Sequence, residues 1–280
     1  MKLEGKKLEG KKAVVTGGSR GIGKAIARAF LEEGASVAIT GRNQDELEKT
    51  AEELSSFGPV RSFKADISRE QDARHMISEV LAAFGGVDIL VNNAGIQGPI
   101  GRFWEVDFED WVENIKVNCI GTARCVRQVL PIMISRKKGK IINLSGGGAT
   151  SPRPYFSAYG TGKAAIVRFT ETLAEEVRDY SIDVNAIAPG AVNTRMLEEV
   201  LEAGGAKAGE KELQEARQRS ETGGVSPFAA AALAVFLASP ESDGLTGRLV
   251  SAVWDDWRQF GPDRIREIMS GNLYTLRRVS

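Results

Sequence analysis

The chain has 280 residues, 42% of them hydrophobic and 26% charged, with basic and acidic side chains balanced at 37 each. That length suits one large domain or two small ones, and the charge balance leaves no overall field for nucleic acid or an anionic membrane. No apolar run approaches the roughly 18 residues of a membrane span, and the opening Met1-Lys-Leu-Glu-Gly5 lacks the apolar core of a secretory signal, so a cytoplasmic protein is expected.

Lys2-Leu-Glu-Gly-Lys6 repeats as Lys7-Leu-Glu-Gly-Lys11, too briefly for a fold repeat, and residues 1–9 are expected to be a flexible tail. Lys12–Thr16 reads as a buried strand. It is followed by Gly17-Gly18-Ser19-Arg20-Gly21-Ile22-Gly23 and a helix over Lys24–Glu33. Strand, glycine-rich turn and helix form a nucleotide-binding context: glycines let the backbone approach a pyrophosphate, and the helix N-terminus offers unpaired N–H groups. A second strand, Ala35–Thr40, runs into Gly41-Arg42-Asn43. An acid at that point would accept the ribose hydroxyls of NAD. None is present, whereas Arg42 and Arg20 can flank a 2′-phosphate, so NADP(H) is preferred over NAD(H).

The alternation continues with a helix over Gln44–Ser56, strand Val60–Ala65 followed by Asp66, helix Arg69–Phe84 and strand Val87–Val91. With no break in composition, it predicts one domain, α/β, built on a Rossmann-like doubly wound parallel sheet with helices on both faces. Asn92-Asn93-Ala94-Gly95 then falls at a strand's C-terminal end, where such sheets bind ligands. A long helix is expected from about Phe108 to Ser135. Within it, Cys119 and Cys125 read as reduced packing residues. Asn118 lies mid-helix, either as a satisfied polar core residue or as the holder of a water. His75, the one histidine, reads as surface, which leaves a histidine-based triad without support, and no metal site is expected.

Strand Gly139–Ser145 leads through Gly146-Gly147-Gly148 to Tyr159-Gly-Thr-Gly-Lys163, at the head of a helical run Ala164–Asp179. Residues four apart share a helix face. A lysine ammonium beside a phenol, whose ordinary pKa is about 10, favours the phenolate and suits it to proton transfer near neutral pH. Strand Ile182–Ile187 and Pro189-Gly190-Ala191-Val192-Asn193-Thr194 follow.

Together these motifs resemble, in order and interval, the classical short-chain dehydrogenase/reductases. The resemblance rests on Thr16-Gly17…Gly21-Ile22-Gly23, Asn92–Gly95, Asn118, Tyr159…Lys163 and Pro189-Gly190…Thr194, and covers about residues 8–250. It implies an NAD(P)-dependent oxidoreductase that interconverts a ketone or aldehyde and an alcohol by hydride transfer. A small-molecule substrate and a homotetramer or homodimer are implied with it. Carried over, Tyr159 is the proton donor. Lys163 binds the nicotinamide ribose and lowers the tyrosine's pKa, and Asn118 holds a relay water. Asp66 and Ile67 meet the adenine, Asn92 to Gly95 the ribose, and Val192 and Thr194 the nicotinamide amide.

Two departures stand out. The position thirteen residues before the tyrosine, where the family has a catalytic serine, is Gly146, with Ser145 one residue earlier. Neighbouring strand residues face opposite ways, so either the loop shifts and Ser145 serves, or another group holds the carbonyl, with Ser151 and Ser157 as substitutes. An SDR-fold cofactor-binding or scaffold protein with weak or no catalysis is the alternative that Gly146 motivates; a sugar epimerase or dehydratase is a more distant one. Second, residues 254–280 form an extension with Trp254, Trp257, Ile265, Ile268 and Tyr274. Its apolar area must pack on its own subunit, on a neighbour, or beside the cleft. Residues 195–224, helical at Met196–Leu201 and Lys211–Arg219 around Gly204-Gly205, read as a substrate lid. Arg153, Pro154 and the loop Gln97–Arg102 frame the same pocket.

Overall fold

The computed structural model describes residues 5–278. Seven strands form one parallel sheet: β1 (Lys12–Thr16), β2 (Ser36–Gly41), β3 (Val60–Lys64), β4 (Ile89–Asn92), β5 (Gly139–Leu144), β6 (Ile182–Ala188) and β7 (Leu249–Ser251). Their spatial order is β3-β2-β1-β4-β5-β6-β7. The order reverses between β1 and β4, and at such a switch point the strand ends leave an open crevice.

The strands are near-continuous apolar runs because both faces are covered. Successive residues alternate sides: Val14, Ala38 and Leu90 join one core, while Ala13, Val15, Val37, Ile39, Ile89 and Val91 join the other. Helices α1 (Gly21–Glu32) and α2 (Gln44–Leu54) lie on the second face, and α3 (Glu70–Phe84) on the first. The helix expected over Phe108–Ser135 is interrupted. α4 (Phe108–Ile115) and α5 (Thr122–Arg136) are joined by a wider π-turn, Lys116–Gly121. There Asn118 turns inward, its side chain bonded to Ile96, and the Thr122 hydroxyl bonds to the Asn118 carbonyl.

α6 begins earlier than its apolar pattern suggested, spanning Ser157–Glu176, with the Gly160 amide bonded to the Phe156 carbonyl at 2.8 Å. Tyr159 is therefore already in the first turn rather than ahead of the helix. α7 (Arg195–Ala208), kinked at Gly204, and α8 (Glu210–Thr222) make up most of the expected lid, followed by α9 (Pro227–Ala238) and α10 (Pro262–Ser270).

The N-terminus corrects the sequence reading, and the C-terminal extension follows one of its alternatives. Of the expected tail, residues 1–4 lie outside the described residues, but Leu8 is fully buried in the core beneath α1 and its amide bonds to the Glu33 carbonyl at 2.9 Å. One apolar side chain suffices to anchor that stretch. The extension packs on its own chain: Trp257, Phe260, Ile265 and Ile268 are buried against α9, with Phe236 5.7 Å from the Trp257 ring. Trp254 remains exposed.

Candidate active site

The crevice at the switch point is a cleft of about 870 Å³ whose lining runs from Arg42 at one end to Ser145, Tyr159 and Lys163 at the other. Its floor is backbone. A side chain on Gly17 would meet the Ala94 Cα at 2.9 Å, and one on Gly23 would overlap the Gly17 carbonyl, so the β1–α1 turn and the β4 end pack directly together. Thr16 and Asn93 hold that junction. The Thr16 hydroxyl accepts from the amides of Asn93 and Ala94 at 3.0 and 3.1 Å, and the Asn93 side chain donates to the carbonyls of Thr16 and Gly17. What Asn93, Ala94 and Gly95 present to the cleft is therefore main chain.

Of the residues singled out from sequence, Gly17, Ser19, Arg20, Gly21, Ile22, Arg42, Asp66, Ile67, Pro189 and Thr194 also line the cleft. Others lie outside it. Gly23 is buried beneath the turn. Asn43 caps α2, its side chain accepting from the Glu46 amide at 3.2 Å. Gly190 packs on Val225 and Val253, and Val192 bridges to Val225. Glu46 was not visible in the sequence pattern. It accepts from the Ser19 hydroxyl at 3.2 Å and pairs with Arg20 at 3.6 Å, so Arg20 is already engaged. Arg42 is exposed at the rim, and the Thr40 hydroxyl beside it is buried without a partner.

At the other end, Lys163 is buried and donates to the Leu144 carbonyl at 2.8 Å; burial brings its pKa down to about 8. Its ammonium lies 5.6 Å from the centre of the Tyr159 ring. Burial pushes the Tyr159 phenol up, and the charge opposing that rise is Arg153. The lysine gives one of its three donors to a main-chain carbonyl, and the Arg153 guanidinium stacks 3.8 Å over Phe156 and lies 5.8 Å from the centre of the Tyr159 ring.

Asn118 is likewise committed. It donates to the Ile96 carbonyl and to Asn114, and accepts from the Ile96 amide at 3.1 Å. Asn114 itself went unread in the sequence. Fully buried, its amide donates to the carbonyls of Ile96, Gln97 and Gly98 and so holds the segment that meets the lid through Gln97 and Met196. Its spacing of four from Asn118 was the available signal.

Gly146 sits against the phenol: any Cβ there would overlap the Tyr159 hydroxyl. The Ser145 hydroxyl is buried, without a partner, in the same cleft. Ser157 accepts instead from the Trp111 indole at 3.2 Å, and Ser151 is exposed. Among the described residues no helix is long and apolar enough to cross a membrane, and no cluster of His, Cys, Asp and Glu could hold a metal ion.

Three comparisons agree with this geometry. A family model described as short chain dehydrogenase matches residues 11–204. The oxidoreductase UcpA of Salmonella typhimurium is 38% identical over 86% of this chain and 92% of its own. The 3-oxoacyl-[acyl-carrier-protein] reductase FabG of Thermotoga maritima is 35% identical over 87% and 96%. The crystal structure of an NAD+-bound xylitol dehydrogenase superposes with a TM-score of 0.80 over 88% of this chain and 98% of that one, at 28% identity. A parallel sheet with its crevice at the switch point, a tyrosine and lysine one turn apart at its end, and a family match over most of the chain lead to one conclusion: this protein belongs to the short-chain dehydrogenase family.

Proposed function

We propose that the chain interconverts a ketone or aldehyde and an alcohol with NADP(H), Tyr159 giving the proton to the carbonyl oxygen or taking it from the alcohol. The observation that carries this reading is the convergence of Tyr159, Lys163 and the unpartnered Ser145 hydroxyl at one end of a backbone-floored cleft. The residues fit a dinucleotide: glycine backbone at the α1 N-terminus for the pyrophosphate, Asp66 and Ile67 for the adenine, Asn93 to Gly95 and Lys163 for the nicotinamide ribose. When bound, the nicotinamide supplies or accepts the hydride.

The chain's own groups do the rest. A phenol is protonated at neutral pH even at its ordinary pKa of about 10, the state needed for reduction, and burial raises the Tyr159 phenol further in the same direction. Ser145, with no acceptor of its own, donates to the substrate oxygen as charge develops there. The absence of an acid after β2 and the exposed Arg42 support NADP(H); the Glu46–Arg20 pair places the burden of the 2′-phosphate on Arg42. Assembly as a homodimer or homotetramer belongs to the same reading, supported by the exposed Phe103, Trp104 and Phe108 beside α4. Cytoplasmic residence is part of it too.

One observation favours a second reading. Gly146 leaves the usual serine position without a side chain, as in a cofactor-binding or scaffold protein of this fold. Consumption of NADPH and NADH against a panel of ketones and aldehydes separates the two. Carbonyl-dependent loss of NADPH, faster than of NADH, is expected; tight NADPH binding with no turnover of any carbonyl would overturn the enzyme reading.

A further inference from the structure

The lid borders the cleft beside Tyr159. The Met196 sulfur lies 4.0 Å from the phenol oxygen, and Gln97, itself buried, donates to the Met196 carbonyl at 3.0 Å. From α8, Glu212 reaches the Arg153 guanidinium through two bonds of 2.5 and 3.3 Å. Tyr159 and Arg153 are thus each met by a piece of residues 195–224, while the Ser145 hydroxyl stays unpartnered. A thioether stands at the proton donor and a carboxylate at the guanidinium.

The charges there do not balance. Arg153, Arg219 and Glu212 have side chains only 18%, 28% and 19% exposed, and among the described residues Glu212 is the one carboxylate within reach of either arginine. Arg219 is 3.8 Å from Glu212, yet its Nε is buried with no acceptor. Two cations share one anion in a half-buried setting, where an uncompensated charge is costly. One more carboxylate would complete the set: it would take Arg153 while Glu212 turned to Arg219. Gly209 and Gly223, with φ of 84° each, bracket α8 and provide the joints for that movement.

We propose that the substrate is a short oxo acid, or the matching hydroxy acid in the reverse direction, whose carboxylate displaces Glu212 from Arg153 while its carbonyl replaces the Met196 sulfur at Tyr159. The inference rests on the carbonyl chemistry proposed above. The Arg153 guanidinium lies 5.8 Å from the centre of the tyrosine ring, close enough that only a short acid, with its carboxylate one or two carbons from the carbonyl, would reach both groups. In reduction, the carbonyl carbon gains the hydride of the reduced nicotinamide and its oxygen gains the Tyr159 proton. The phenol is then reprotonated from solvent, and the carboxylate passes through unchanged. Arg153 is chosen over lysine for such a task by its planar fork, which meets a carboxylate with two parallel bonds.

The test compares kcat/KM for 2-oxobutanoate and 3-oxobutanoate with that for their methyl esters, using NADPH, in the wild type, Arg153→Gln, Glu212→Gln and Tyr159→Phe. NADPH binding serves as the check that each variant is folded. The acid is expected to exceed its ester by about ten- to hundredfold, the range of a charge-assisted hydrogen bond. Arg153→Gln erases that ratio through KM, whereas Glu212→Gln lowers KM for the acid because the competing carboxylate is gone. Calorimetric titration of 3-hydroxybutanoate onto the NADPH-bound protein, where no turnover occurs, should rank affinities as Glu212→Gln, then wild type, then Arg153→Gln. Equal rates for acid and ester, or the same change in both substrates from both variants, would overturn the inference and leave Arg153–Glu212 as a lid latch only. Tyr159-dependent reduction of esters without any preference for acids would leave the carbonyl chemistry standing. No reduction at all, or full activity in Tyr159→Phe, would remove both.

Discussion

The β1–α1 turn meets one end of the cleft with main chain, whereas the β5–α6 segment and the lid meet the other end with side chains. At the first end the glycines and Asn93 press two turns together, and the surface offered is N–H groups and carbonyls. At the second, recognition depends on contacts such as Gln97 with Met196 and Arg153 with Glu212, between residues 99 and 59 positions apart. Backbone recognition suits a ligand shared by a whole family, since phosphates need only N–H groups and a favourable dipole. Side-chain recognition can change one residue at a time, which is how one fold serves many substrates.

Three substitutions test whether the two ends are as different as this. The largest effect is expected from Ser145→Ala, which removes the unpartnered hydroxyl and should lower kcat about 100- to 1000-fold, the loss typical of one donor to developing charge. NADPH affinity, set at the other end, should stay unchanged in a fluorescence titration. Gly146→Ser comes next. Restoring the family's usual residue is expected to harm rather than help, because its Cβ would displace the phenol. A misplacement of about 1 Å costs on the order of 100-fold, read in the same kinetic assay; a gain in activity would show that the loop moves to accept the serine.

The smallest effect is on stability. Burial holds Lys163 at about 8 in the folded chain, below the 10.5 of an exposed lysine, so between those values the unfolded state carries more protons. Wild-type stability should therefore rise relative to Lys163→Met as pH climbs from 8 to 10.5, by at most about 3 kcal/mol, and the difference should be flat below pH 7. Chemical denaturation of both proteins across that range measures it. A difference that stays constant from pH 7 to 10.5 would place the lysine in water.

What could be read in advance follows the same division. The strand alternation, the glycine turn and Tyr159–Lys163 are local patterns, and each lies where its spacing implied. The π-turn at Lys116–Gly121, where Asn118 bonds to Ile96, was not legible, since no propensity of its own six residues marks it. Nor was the bond from the Lys163 ammonium to the Leu144 carbonyl, nineteen residues away: spacing of four places two side chains on one face and says nothing of a partner on a neighbouring strand. Glu46, Asn114 and Glu212 escaped notice because each acts through a partner that only the folded chain brings near. At the N-terminus, a charged repeat concealed a buried leucine, Leu8.

The account turns on Tyr159 as the group that handles the proton. Its most direct test is Tyr159→Phe, which removes one oxygen and keeps the ring packed on its neighbours. Turnover with the best carbonyl of the panel and the dissociation constant for NADPH would be measured on the same preparation. The account predicts a fall in kcat of about 100- to 10,000-fold with the NADPH constant unchanged. A variant that binds NADPH and reduces the carbonyl at the wild-type rate would contradict it.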